Sequence, residues 1–322
     1  MAEALEPPDS APALSPAKPR LRGADVVSSV ILQYRANFLL NELDVGNLPP
    51  VSQISPRLLI PGFVPRRRDD APEMLHQARV SLRRMRSTIR IFSSLLDATW
   101  AEQMSGDLSW YGDVLGRARD LTVMRERILD GDLPIRSVAV RELLRKYLDA
   151  ELDGALSAQR AARESLRYGD LIKQLLELEA HIAFTPPAFH SARRVLPPEL
   201  DEPFKELGDA AREARRDKTA KNLHAVRIRA KRVQHGCEAL ALVLGKPVHR
   251  TARAAEALQR RLGTVHDASV CQEWLVELAT SEPRYAAHLT QLAEFERVQA
   301  KMSRRGWRDD LGTLRVRWRR WH

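Results

Sequence analysis

Two basic helical ladders set 148 residues apart constrain this chain more than any other feature. LHQARVSLRRM, residues 75–85, recurs as LHAVRIRAKRV, residues 223–233. A second pair, LGRARD at 115–120 and LGTVHD at 262–267, repeats with an offset of 147. Leu115, Gly116, Arg119 and Asp120 thus correspond to Leu262, Gly263, His266 and Asp267. An almost constant offset across two motifs implies two similar helical units related by approximate twofold symmetry, a repeat that shared composition alone does not produce.

The rest of the chain has helical spacing, with apolar residues three and four apart and glycines and prolines between long segments. Helices are expected near 24–43, 71–97, 101–129, 134–164 and 166–184, then, after a proline-bearing connector, near 201–217, 222–244, 249–280 and 283–303. Asp70 and Glu73 have capping-box spacing, with Pro72 in the first turn, where a missing amide proton removes no helical bond. Segment 46–70 carries Pro49, Pro50, Pro56, Pro61 and Pro65 followed by Arg66, Arg67 and Arg68, which reads as a surface loop whose arginines supplement a basic face or are simply solvated. Such amphipathic helices bury their apolar faces only by packing together, so the expected fold is all-α: two similar helical bundles. The expected divisions are a disordered leader at 1–23, a first unit at 24–184, a second at 185–303 and a basic aromatic tail at 304–322.

On a helix each residue turns the direction by about 100°. His76, Arg79, Arg83, Arg86 and Arg90 therefore form one narrow stripe with Arg84 at its edge, opposite Ala78, Leu82, Met85, Ile89 and Phe92. The second ladder gives His224, Arg227, Lys231 and either Gln234 or His235, flanked by Arg232 and opposed by Leu223, Val226, Ala230, Val233 and Cys237. No Asp or Glu occurs from 74 through 96 or from 218 through 237. Like charges three and four residues apart repel unless water, acidic neighbours or an anionic ligand relieve them. A lone arginine stripe is usually a solvated face, but its duplication with a paired histidine makes this one a candidate binding surface.

Charge extends the point to the whole chain. With 52 Lys and Arg against 42 Asp and Glu, the formal charge is +10, which favours a polyanionic partner such as nucleic acid, phosphate polymer or anionic lipid. Cys237 and Cys271 are too few for a disulfide framework and lack the spacing of a zinc site, so a reducing cytoplasm is the expected setting. The leader has no apolar run of the kind a secretory signal needs, and no segment is apolar for long enough to span a bilayer. Neither a metal nor another cofactor is expected.

The quoted motifs, with their continuations LHQARVSLRRMRSTIRIF, LGRARDLTVMRERI and LGTVHDASVCQEWL, resemble those of the CHAD family, the conserved histidine alpha-helical domain, over roughly 24–303. The resemblance implies two helical bundles whose basic faces meet across a shared groove that binds inorganic polyphosphate, and an association with polyphosphate granules. It places His76, Arg79, Arg83, Arg84, Arg86 and Arg90 on one side and His224, Arg227, Lys231 and Arg232 on the other. The second copy departs from the family pattern: LGTVHD replaces LGxxRD, and Gln234 and His235 follow KR, which makes that face less charged.

Linear polyphosphate suits such ladders. It offers repeated charge without bases, and residues three or four apart advance about 4.5–6 Å along the axis, following an extended anion. Arginine supplies a planar fork of donors and lysine a mobile point charge. The histidines are open in either direction, because phosphate favours their protonation and the arginines oppose it. Asp120 and Asp267 are expected to orient arginines and not to catalyse, so the protein is expected not to be an enzyme. The alternatives are nucleic-acid binding, helped by Trp307, Trp318, Trp321 and the arginines of the tail, and hydrolysis of polyphosphate or triphosphate.

Overall fold

The computed structural model describes residues 21–43, 60 and 63–322. Residues 1–20 of the expected leader and most of the proline-rich segment lie outside them. The helices in chain order are α1 Gly23–Glu42, α2 Ala71–Ile91, α3 Ala98–Arg125, α4 Val138–Arg163, α5 Leu166–Leu176, α6 Leu178–His181, α7 Ala192–Val195, α8 Asp201–Arg216, α9 Ala220–Leu244, α10 Lys246–Ser281, α11 Ala286–Ser303 and α12 Trp307–Trp318. Short 3-10 and π turns join them, and extended pairing among the described residues is confined to two isolated bridges, Arg22 with Ser191 and Leu96 with Phe184. The protein is all-α.

Local chemistry sets the helix ends. Asp70 accepts the Glu73 amide at 2.7 Å at the start of α2, Asp97 accepts that of Trp100 at 2.9 Å before α3, and Thr219 accepts that of Asn222 at 3.3 Å before α9. Each such cap is worth about 1 kcal/mol. Gly245 ends α9 at φ 76°, a conformation that suits glycine, and α10 starts at the next residue. The segment expected as one helix at 166–184 divides at Glu177, and α2 stops at Ile91, six residues before its expected end; beyond both ends Leu96 pairs with Phe184.

α1 is buried on nearly all sides, which places polar residues inside. Gln33, Asn37 and Asn41 stand one turn apart and hold the backbone of the incoming segment: Gln33 accepts the Ile60 amide at 2.8 Å, and Asn41 bonds both Arg66 O and Arg68 N. Arg67 donates to the Leu43 carbonyl at 2.8 Å, at the end of α1, so this arginine serves the helix terminus and not the expected basic face.

The largest apolar cluster draws on helices from both sides of the expected division at 184/185, including Phe38, Leu82, Met85, Leu115, Val233, Leu258 and Leu311. A second cluster joins the end of α3 and α4 to α10 and α11 through Ile128, Leu144, Leu148, Cys271, Leu275 and Leu289. The segment expected as a tail is part of the fold. It forms α12, whose Trp307 and Trp318 are buried. Trp318 stacks on Phe204 with centroids 4.1 Å apart, and Trp321 donates to Thr251 Oγ1 at 2.9 Å. These indoles are therefore committed to packing and are not free to stack on bases.

Candidate anion-binding site

The apolar stripes of α2 and α9 sink into the common core, and the two helices touch one another. Their charged stripes consequently act on each other: Arg79, Arg83 and Arg84 on α2 lie within electrostatic reach of Arg227 and Lys231 on α9.

The two sequence repeats seat their arginines on their glycines alike, but only the first closes an ion pair among the described residues. The Arg79 guanidinium lies against Gly116, where an added Cβ would stand 3.3 Å from its Nε, and it grips Asp120 through two bonds of 2.9 and 3.1 Å. Arg227 lies against Gly263 in the same way, with its Nε 3.4 Å from an added Cβ, and the carboxylate that acts on it most is Asp267. His76 feels Arg119, and His224 packs on His266, the residue equivalent to Arg119, at 4.1 Å between ring centroids. The glycine of each LG motif is thus the space into which an arginine of the ladder fits.

Carboxylates reach the ladders from elsewhere in the fold. Besides Asp120, Glu238 of α9 pairs with Arg84, which also lies 5.7 Å from the Tyr34 ring, and Glu206 of α8 accepts from Arg232 at 2.6 Å and lies 4.0 Å from Arg229. Arg84 and Arg232, both expected to face a ligand, are therefore ion-pair partners that fix α2 and α8 against α9. Arg83, Arg86, Arg90, Arg227 and Lys231 form no ion pair among the described residues, and the buried Nε atoms of Arg83, Arg86 and Arg227 lack any hydrogen-bond partner.

Burial first, and like charges second, lower the proton affinity of these groups. Burial, then Arg79, Arg84 and Arg227, bring Arg83 down to about 10. Lys231 falls to about 6 through burial and the arginines Arg83, Arg227, Arg79 and Arg84. His224 falls to about 4, mainly by burial and then by His266, Arg227 and Lys231; His76 and His266 are lowered also, burial being the largest cause. In the free protein the competition left open for the histidines goes against protonation. Gln234 and His235 are both buried, Gln234 donating to Glu238 at 2.8 Å, so neither extends the exposed stripe.

The CHAD domain family model matches residues 64–276, about two thirds of the sequence. The chain belongs to the CHAD domain family. Among curated proteins, the uncharacterized protein Rv2226 of Mycobacterium tuberculosis (strain ATCC 25618 / H37Rv) is 28% identical over 231 residues, 66% of this chain and 42% of that protein. The CHAD chain thus spans about two fifths of the length of that relative. In structure it is similar to PptA from Streptomyces chartreusis, with TM-score 0.69, 20% identity and coverage of 93% of this chain and 100% of the other. It is also similar to the CHAD domain from the plant Ricinus communis, with TM-score 0.59, 24% identity and 96% of each chain covered. Both likenesses bear on the fold.

Four residues of this CHAD site escape a reading of the ladders alone: Arg119, His266, Arg229 and Asp267. Arg119 and His266 occupy equivalent positions in the two LG motifs, so the second repeat was the signal for them. Asp267 is raised above its ordinary carboxylate range chiefly by burial, against the attraction of Arg227 and Arg127. Arg229 gave no signal, because the stripe that holds Arg227 and Lys231 does not include it.

Proposed function

We propose that this protein is a noncatalytic binder of inorganic polyphosphate, and that α2 and α9 present the two sides of a shared basic groove. What supports the reading is one observation: Arg83, Arg86, Arg90, Arg227 and Lys231 gather on two touching helices with no ion pair among the described residues, and the buried Nε atoms of Arg83, Arg86 and Arg227 have no hydrogen-bond partner there. An anion supplies what these groups lack. CHAD membership is consistent with polyphosphate binding in general. In this reading His76, His224 and Arg79 flank the contacts, while Arg84 and Arg232 hold the helices in register. Asp120 and Asp267 orient Arg79 and Arg227. The two-unit organisation with divisions near 184 and 303, a cytoplasmic setting and attachment to polyphosphate granules belong to the same proposal; no helix among the described residues is long and apolar enough to cross a membrane.

The test is a salt-varied titration of wild type and the Arg83→Gln/Arg227→Gln variant with long-chain polyphosphate, in competition with duplex DNA at equal phosphate equivalents. Binding should weaken at least tenfold in the variant, and the slope of log affinity against log salt should fall by roughly one per lost contact, by analogy with nucleic-acid backbones. Unchanged affinity would place the site elsewhere. Preference for DNA would make nucleic acid the partner, and steady release of orthophosphate from polyphosphate would make the protein a hydrolase.

A further inference from the structure

The far side of α8 carries a second cationic surface. Glu206, which bonds Arg232 of α9, marks the side of α8 that faces the ladder. Arg215 lies nine residues further on, half a turn out of phase at about 100° per residue, and Arg212 leans the same way. Phe204 shares that far side and stacks on Trp318, while Asp201 meets His322 at 2.6 Å. The α8–α12 seam is therefore aromatic at one end. Arg315, one turn before Trp318, comes within electrostatic reach of Arg212 and Arg215 on α8 and of Arg319 on its own side of α12.

Arg215, Arg315 and Arg319 have no ion pair among the described residues, and only Arg212 has one, with Asp209. The charges that act on Arg315 are those of Arg215, Arg212 and Arg319, which together with burial lower its proton affinity. Arg212, Arg215 and Arg319 are exposed. Trp318 is locked between Phe204 and His322, so the surface has no free ring for a base. Its neighbour Val316 is a single exposed apolar residue, too little to enter a bilayer. Apart from the Asp209 carboxylate paired with Arg212, the surface offers guanidinium groups and no free ring, which suits a polymer that is all charge and no base.

We infer that the α8–α12 arginine quartet is a second polyphosphate-binding surface, set apart from the α2–α9 site, so that one protein bridges two segments of polymer. The inference rests on the function proposed above. Its test is calorimetric titration with short-chain polyphosphate, with circular dichroism confirming that each variant is folded. Wild type should take up two chains. Arg215→Gln/Arg315→Gln/Arg319→Gln and Arg83→Gln/Arg227→Gln should each take up one, with a shallower salt dependence for the affected site. With long-chain polyphosphate, wild type should form light-scattering networks that both variants lose. A triple variant with unaltered stoichiometry, salt slope and scattering overturns the second surface and leaves the α2–α9 reading standing. Loss of every binding event in the triple variant overturns both, since the quartet would then be the sole site. Duplex DNA that displaces the polyphosphate remaining on Arg83→Gln/Arg227→Gln, at equal phosphate equivalents, overturns the choice of polymer.

Discussion

At the scale of single residues, burial of Lys231 predicts a pH response of this site. Its amine falls from an ordinary 10.5 to about 6 in the folded protein, with burial and Arg83, Arg227, Arg79 and Arg84 responsible. Between those values the unfolded chain holds the extra proton, so stability rises as pH climbs from about 6 towards 10.5 and the penalty is fully present below 6. Lys231→Met should therefore stabilise the free protein at pH 6, by about 1–2 kcal/mol, as when a buried unpaired charge gives way to an apolar group; thermal unfolding at pH 6 and pH 9 measures it. Phosphate oxygens act in the opposite direction, raising the amine again. Affinity for polyphosphate should then increase as pH falls from 8 to 6, by up to about tenfold per unit, with proton uptake visible as a dependence of binding heat on buffer. The Met variant should flatten that profile. Asp120 offers the complementary test, because it occupies the Arg79 fork that a phosphate would use. Asp120→Asn should tighten polyphosphate binding a few-fold while changing stability by less than about 1 kcal/mol, since the carboxylate is largely exposed.

At the scale of elements, close approach decides which helices tolerate change. α9 passes Leu200 at Gly236, where an added Cβ would stand 2.1 Å from Leu200 Cδ2 and 3.5 Å from Ile91. Both neighbours are buried, so Gly236→Ala should destabilise by about 1–3 kcal/mol despite its better helix propensity, and chemical denaturation would show it. α11 depends on a different bond: buried Glu296 takes two hydrogen bonds from Arg127, at 2.8 and 2.6 Å, on the π turn that continues α3. Glu296→Ala should cost about 3 kcal/mol, because it leaves Arg127 half-buried and unpaired. Much of this architecture was legible. Helix existence followed from spacing, and the capping position of Asp70 was correct to the residue. α12 was missed although Trp307, Leu311, Leu314 and Trp318 have the spacing of one buried helical face. The arginines interleaved at 315, 317, 319 and 320 give the segment the character of a charged tail and obscure that period. Local patterns were also silent on the break at Glu177, which tertiary pairing of Leu96 with Phe184 accompanies.

At the scale of the molecule, the sequence disclosed which cations gather but not which remain available. The ladders and their glycines repeat locally, so periodicity places them. Asp120, Glu206 and Glu238 come from three different helices, and only the fold brings them to Arg79, Arg232 and Arg84. That is why the ladders alone place Arg84 and Arg232 beside Arg83 and Lys231 as ligand contacts, whereas the fold pairs them with Glu238 and Glu206. Because the unpaired groups repel one another in the folded protein and separate on unfolding, a polyanion that binds only the folded chain raises the unfolding midpoint with concentration. Resistance to proteolysis should rise in parallel, measured as cleavage rate against added polyphosphate, because cleavage follows the opened population. On the proposed reading, these side chains without counterions would make the lifetime of the molecule follow its polymer: abundant polyphosphate would prolong it, and depletion would open the chain to proteases.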